Sequence, residues 1–265
     1  MRMMQKIAAV AVGLSLIITS ASGAQKKAGL FDAKNFSNTI YLTTQYVFRG
    51  VSFSDRDPAI QGSFDYTHPS GFYAGVWGSN WDGFGTESEL ELDYYLGYAN
   101  ALGPVDYDLG ALYYTFPGAE DIDPAIGNFE QNYFEAHLGL THTLDAAPLT
   151  PTLGVAFNWS PDYNGNDGDG RYILGTVDFA LPAGIGLNLG VGYLDVEGHV
   201  LSGAQNGFSY THYQVGLSKT ILEKFTFDVT YHGTSHDCQS EYGGPVLLDT
   251  EDCTPGAVFT LSRTF

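Results

Sequence analysis

Positive charge is scarce in this chain. Only 11 Lys and Arg stand against 30 Asp and Glu, a net charge of −19. Nucleic acid is held through cationic contacts to phosphate, so no nucleic-acid partner is expected. Long apolar runs are also missing. Beyond the first two dozen residues, no stretch reaches the roughly 20 residues of a spanning helix without Gly, Pro or polar interruptions. That excludes a helical membrane protein. Helix-period patterning is absent as well, and cysteine is limited to Cys238 and Cys253. Aromatic residues are plentiful, with 17 Phe and 18 Tyr. An acidic chain so rich in them folds rather than staying disordered.

The first residues read as a secretory signal peptide. Arg2 and Lys6 precede an apolar or small-residue run from Ile7 to Ile18, and Ala21-Ser22-Gly23-Ala24 suits cleavage. We therefore divide the chain into a signal peptide at 1–24, a periplasmic N-terminal segment at 25–38 and a β-barrel at 39–265. Cleavage removes two cations and leaves the mature chain still more acidic.

From there onward, period-two alternation recurs in segments of about ten residues, the length of a membrane-spanning strand. Twelve strands are expected at 39–49, 59–67, 71–80, 88–99, 105–116, 132–144, 151–160, 171–181, 186–195, 210–220, 225–233 and 256–265. Connections alternate between short turns such as His68-Pro69-Ser70 and long loops such as Gly50 to Pro58. This is the rhythm of an all-β, transmembrane, antiparallel up-and-down barrel, with short turns in the periplasm and long loops outside.

The two strand faces differ in chemistry. One carries Ile40, Leu42, Tyr46 and Phe48, then Leu90, Leu92, Tyr94 and Leu96, and suits lipid. The other carries Asp65, Glu91, Asp93, Asp106, Asp108, Glu135, Asp178 and Asp228, with no strand carboxylate expected on the apolar face. A charge facing mid-bilayer costs up to about 2–4 kcal/mol, which enforces the separation. Arg49 is the one clear strand cation of the interior. Aromatics gather toward strand ends in two girdles, Phe48, Trp159, Tyr193 and Tyr231 marking the outer one. The chain ends on an alternating strand through Phe259 and Leu261 to Phe265, similar to the assembly signal of outer-membrane barrels. Cys238 and Cys253 share one acidic outer loop and are expected to form a disulfide.

These interior residues, Arg49 with the eight carboxylates, are the expected pore lining. Rings of carboxylates favour cations. Asp162, Asn164, Asn166, Asp167 and Asp169 approach calcium-loop spacing, but Asp167 stands where the turn glycine belongs and Ile173 where the last acid belongs. No metal and no cofactor are expected. Nor is any nucleophile–base set legible, so no catalytic residue is named and the chain reads as a non-enzyme.

The block Tyr46-Val47-Phe48-Arg49-Gly50-Val51-Ser52, then Asp57-Pro58-Ala59-Ile60-Gln61-Gly62, Phe64-Asp65-Tyr66 and Ser70 to Asn80, resembles the opening of the TorF-type porin family of proteobacteria, formerly a domain of unknown function. Glu91-Leu92-Asp93 and Tyr95-Leu96-Gly97-Tyr98 echo it. The match spans about the first third of the mature chain. The resemblance implies an outer-membrane barrel and a porin label, without binding residues. The leading expectation is a passive, cation-leaning channel for small hydrophilic solutes in the bacterial outer membrane. Its partners would be lipid and lipopolysaccharide, the barrel-assembly machinery, and solutes or cations. A closed structural or adhesive barrel is the alternative, and an outer-membrane hydrolase is third.

Overall fold

Alternating sequences give strands that are apolar on one side and polar on the other. Closing such a sheet on itself leaves no unpaired edge, which a bilayer requires. The computed structural model, which describes residues 29–82, 88–119, 131–165, 168–198, 207–235 and 253–265, shows that solution. Its strands are β1 Phe36–Thr43, β2 Val47–Phe48, β3 Val51–Ser52, β4 Ala59–Thr67, β5 Phe72–Asn80, β6 Leu90–Leu102 and β7 Val105–Thr115. They continue as β8 Tyr133–Thr143, β9 Thr152–Ser160, β10 Gly170–Leu181, β11 Ile185–Val196, β12 Phe208–Ile221, β13 Phe225–Thr234 and β14 Gly256–Thr264. Twelve of them close into one antiparallel barrel, each beside its sequence neighbour, with β1 between β14 and β4. The seam is in register: Leu42 lies opposite both Leu261 of β14 and Ile60 of β4. The remaining two, β2 and β3, pair only with each other.

The short turns use the backbone states such turns need. Gly103 (φ 63°) and Pro104 join β6 to β7, and Leu222 and Glu223 (φ 51° and 61°) help join β12 to β13. These turns share an end with both barrel termini, the periplasmic end in this architecture. Exterior positions are apolar and exposed all round, among them Ile60 at 67 %, Leu96 at 62 % and Val191 at 58 %. A soluble protein does not leave so continuous an apolar belt in water. This belt is a lipid-facing surface. Phe72, Tyr98 and Tyr107 pack in a row of tilted rings at its periplasmic edge, with centroids 4.8 and 6.2 Å apart. Arg263 lies there between the rings of Phe225 and Phe265.

Two expectations change. The first strand does not run from 39 to 49. It starts at Phe36 and leaves the wall after Thr43, where β4 has its outer end: Thr43 pairs with Ala59, the first residue of β4, while β14 runs on from Thr260 to Gly256 beside β13. Tyr46 and Phe48 therefore do not face lipid. They are 2 % and 5 % exposed, inside the barrel, and Phe48 is no part of the outer girdle. The second change is at the outer rim. Asp195 is a strand carboxylate on the outward face, where Arg171 reaches it at 3.9 Å and Glu197 at 2.8 Å. Beyond the hydrocarbon, that face tolerates charge. The signal peptide lies outside the described residues, as does Cys238.

Candidate functional site: the interior and its hairpin

What would otherwise be an outer loop folds inward. Residues 47–52 form a hairpin with a two-residue turn, Val47 opposite Ser52 and Phe48 opposite Val51. Its turn residues, Arg49 (φ 49°) and Gly50 (φ 87°), are both left-handed, as a type I′ hairpin demands. Glycine takes this conformation freely, whereas an arginine there costs about 1–2 kcal/mol. Arg49 is therefore not a strand cation, as its sequence context suggests, but the tip of an inserted element. The local reason is legible in composition. Tyr46-Val47-Phe48 is a continuous apolar run, so neither parity of the hairpin suits water, and Val47 and Val51 are 2 % and 0 % exposed.

The tip crosses to the opposite wall. Arg49 Nη2 donates to both oxygens of Glu135 on β8, at 2.8 and 2.7 Å. Glu135 also accepts from Tyr114 (3.0 Å) and from Asn158 on β9 (3.1 Å). The guanidinium lies over the rings of Tyr172 on β10 and Phe48, 4.3 and 4.6 Å from their centroids. Both ions are nearly dry, Glu135 at 1 % and Arg49 at 8 % exposed. At Gly50 a Cβ would sit 2.5 Å from the Cβ of His212, so the tip abuts β12 as well. Near the hairpin's base, Gln45 donates to Pro255 O (2.8 Å) and Ser54 Oγ accepts from the Tyr46 amide (2.9 Å). Tyr46 packs on Trp77 (5.4 Å), Phe48 on Tyr114 (6.0 Å), and Tyr114 stacks on Tyr133 (4.4 Å). The outer half of the interior is thus filled by aromatic packing around one ion pair.

Below it the lining is polar. Asp65 accepts from Tyr95 and from Ser63 (2.7 Å), Asp108 from Tyr73 (2.7 Å), Asp178 from Asn188 (2.7 Å) and Asp228 from Thr230 (2.8 Å). Glycines on neighbouring strands let the large rings lie flat against the wall: a Cβ at Gly97 would come 2.3 Å from Tyr73 Oη, and one at Gly75 2.5 Å from the Tyr95 ring. Asp106 is half-buried near the periplasmic turn. No described strand residue on the interior face is Lys or Arg. Neutral donors hold Asp65, Asp108, Asp178 and Asp228.

Glu91, Asp93 and Glu135 belong to the dry outer half, the other five carboxylates to the lower half. The sequence did not pair Arg49 with Glu135, and it missed the tyrosine cage of residues 114, 133, 163 and 172. The doubly apolar run at 46–48 was the available signal. Among the described residues, no group of three or more His, Cys, Asp or Glu is arranged to hold a metal. Phe259 and Phe265 face outward. Cys253 is fully buried, its carbonyl accepting from Thr234 (2.9 Å).

No curated protein matches the chain. Among solved structures it is similar to the NanC porin, at 11 % identity over 87 % of this chain and 98 % of that one, with a TM-score of 0.52. It is also similar to the KdgM porin, at 9 % identity over 86 % and 98 %, TM-score 0.51. At these identities the likeness establishes the fold alone, a closed twelve-stranded antiparallel barrel. The apolar exterior of that closed barrel places the protein in the bacterial outer membrane. Over residues 27–265 the sequence matches the model of Gcw_chp, described as a bacterial protein of unknown function, and the chain belongs to that family.

Proposed function

We propose that this protein is an outer-membrane channel for small hydrophilic solutes, cation-leaning, whose outer half is closed by the hairpin at residues 47–52. The TorF-type porin resemblance belongs to the same reading. The observation that carries it is the charge of the interior: Asp65, Asp106, Asp108, Asp178 and Asp228 line the lower half without a strand-borne Lys or Arg among the described residues. Carboxylate rings of this kind concentrate cations and repel anions. The aromatic filling of the outer half supports a second reading, a permanently closed structural barrel.

Reversal potentials in a KCl gradient test the selectivity. Replacing Asp65, Asp178 and Asp228 together by Asn keeps their shape and removes three charges. The cation-to-anion permeability ratio is expected to fall several-fold, with heat-resistant gel migration unchanged. An unaltered ratio in a folded variant would remove these carboxylates from the ion path.

We also propose the Cys238–Cys253 disulfide. A bridge closing about 15 residues removes roughly 3 kcal/mol of unfolded-loop entropy in the chain-entropy model. Its effect is local, since the barrel ladder closes without it. Non-reduced peptide mapping is expected to recover the linked pair from exported protein. Alkylatable thiols at both positions would refute the bridge.

A further inference from the structure

Glu91 and Asp93 project into the barrel from the same face of β6, two residues apart, beneath the base of the hairpin. They are 1 % and 0 % exposed. Glu91 Oε1 accepts from the hairpin's Tyr46 hydroxyl at 3.3 Å. Apart from each other, Glu91 Oε2 and both oxygens of Asp93 have no hydrogen-bond partner among the described residues. An ionised carboxylate in that state is strongly disfavoured, and two side by side are more so.

Among the described residues, neither forms an ion pair. The nearest guanidinium, Arg49, is committed to Glu135 on β8, which takes both its hydrogen bonds. The groups packed around the pair are Tyr46 on the hairpin, Trp77 and Ser79 on β5, Tyr114 on β7 and Tyr133 on β8, with Gln61 on β4 at the level of Ser79, all neutral, and the charged group that acts on Asp93 from β8 is Glu135, itself a carboxylate. His212 and His232, on β12 and β13, belong to the far wall. Among the described residues, three carboxylates under the hairpin, Glu91, Asp93 and Glu135, therefore share one cation, Arg49, and the deficit falls on Glu91 and Asp93. Two carboxylates and a phenol are too few ligands for calcium, which takes six to eight oxygens, and no larger metal-binding group exists among the described residues.

We propose that Glu91 and Asp93 form a proton-binding site, one carboxyl group donating its proton to the other, and that occupancy of this site keeps the hairpin seated. The inference rests on the hairpin being the closing element. The direction follows by mass action. The seated form holds a proton that the unseated form, with both groups in water, releases to solvent. Acid favours closure, and closure is lost as pH rises. One linked proton changes the ratio of unseated to seated barrel by at most about tenfold per pH unit.

The test is planar-bilayer recording from pH 5 to pH 9 in KCl with a chelator, on the wild type, on E91Q/D93N and on Arg49→Ala. Conductance of the wild type is expected to rise with pH. Gln and Asn mimic the protonated pair, so E91Q/D93N is expected to stay closed throughout. Asp93→Asn alone, in a barrel verified by heat-resistant migration, is expected to weaken the pH step. A pH-independent wild type, or a wild-type pH step retained by E91Q/D93N, overturns the proposal if Arg49→Ala still opens the channel. If Arg49→Ala changes nothing either, the hairpin reading itself fails. Closure at pH 9 by added calcium, abolished in E91Q/D93N, would make a metal ion the occupant and overturn the proton.

Discussion

Alanine at position 49 is expected to open the barrel. The substitution leaves Glu135 buried at 1 % exposure without its guanidinium. Breaking a buried pair from one side costs about 3–5 kcal/mol, because the remaining charge is uncompensated. Tyr114 and Asn158 still donate to Glu135, which moderates the loss without replacing a charge. The cation–π contacts with Phe48 and Tyr172 disappear as well. Opposing this, the hairpin's burial of Val47, Phe48 and Val51 still favours the seated form, at about 1.5–3 kcal/mol for each side chain. At tenfold per 1.4 kcal/mol, losing 3–5 kcal/mol multiplies the unseated population by at least about 10². The measurement is open probability in a planar bilayer, at constant pH. Arg49→Lys is expected to fall between alanine and wild type, since it keeps the charge and loses the two-oxygen fork. Open probability equal to wild type in folded Arg49→Ala would show that the ion pair does not hold the hairpin.

Valine at position 50 is expected to act as strongly by a different route. Gly50 has φ 87°, which a β-branched residue avoids, and a Cβ there would stand 2.5 Å from the Cβ of His212 and 3.2 Å from Thr234. The tip must back away from β12, and the Arg49–Glu135 geometry goes with it. No residue from 45 to 58 takes part in the strand pairing of the barrel, so heat-resistant migration should persist. Trypsin added to whole cells reports the displacement. In the wild type Arg49 is shielded at 8 % exposure, and in Gly50→Val cleavage after Arg49 should become rapid. Protection equal to wild type would mean that the tip tolerates the side chain in place.

The barrel was legible in the sequence because strand alternation is a local signal. Leu90, Leu92, Tyr94 and Leu96 against Glu91, Asp93 and Tyr95 define both faces of β6 before any partner is known. Strand count followed from the short and long connections. The hairpin was not legible for the same reason. Alternation continues past Thr43 through Tyr46 and Phe48, and nothing local says that β4 begins opposite Thr43 and leaves no strand on that side to pair. The Arg49–Glu135 pair joins residues 86 apart in sequence, a relation that only barrel closure creates. Asp195 was misread because its charge lies above the hydrocarbon, a depth that periodicity does not encode.

An acidic interior shut by a removable hairpin is read out by the reversal potential of the Arg49→Ala channel across a tenfold KCl gradient. Frequent openings are expected, with current that reverses close to the potassium equilibrium potential, and wild-type openings are expected to be rare under the same conditions. Openings that reverse on the chloride side, or a folded and inserted Arg49→Ala barrel that stays silent, would contradict this arrangement.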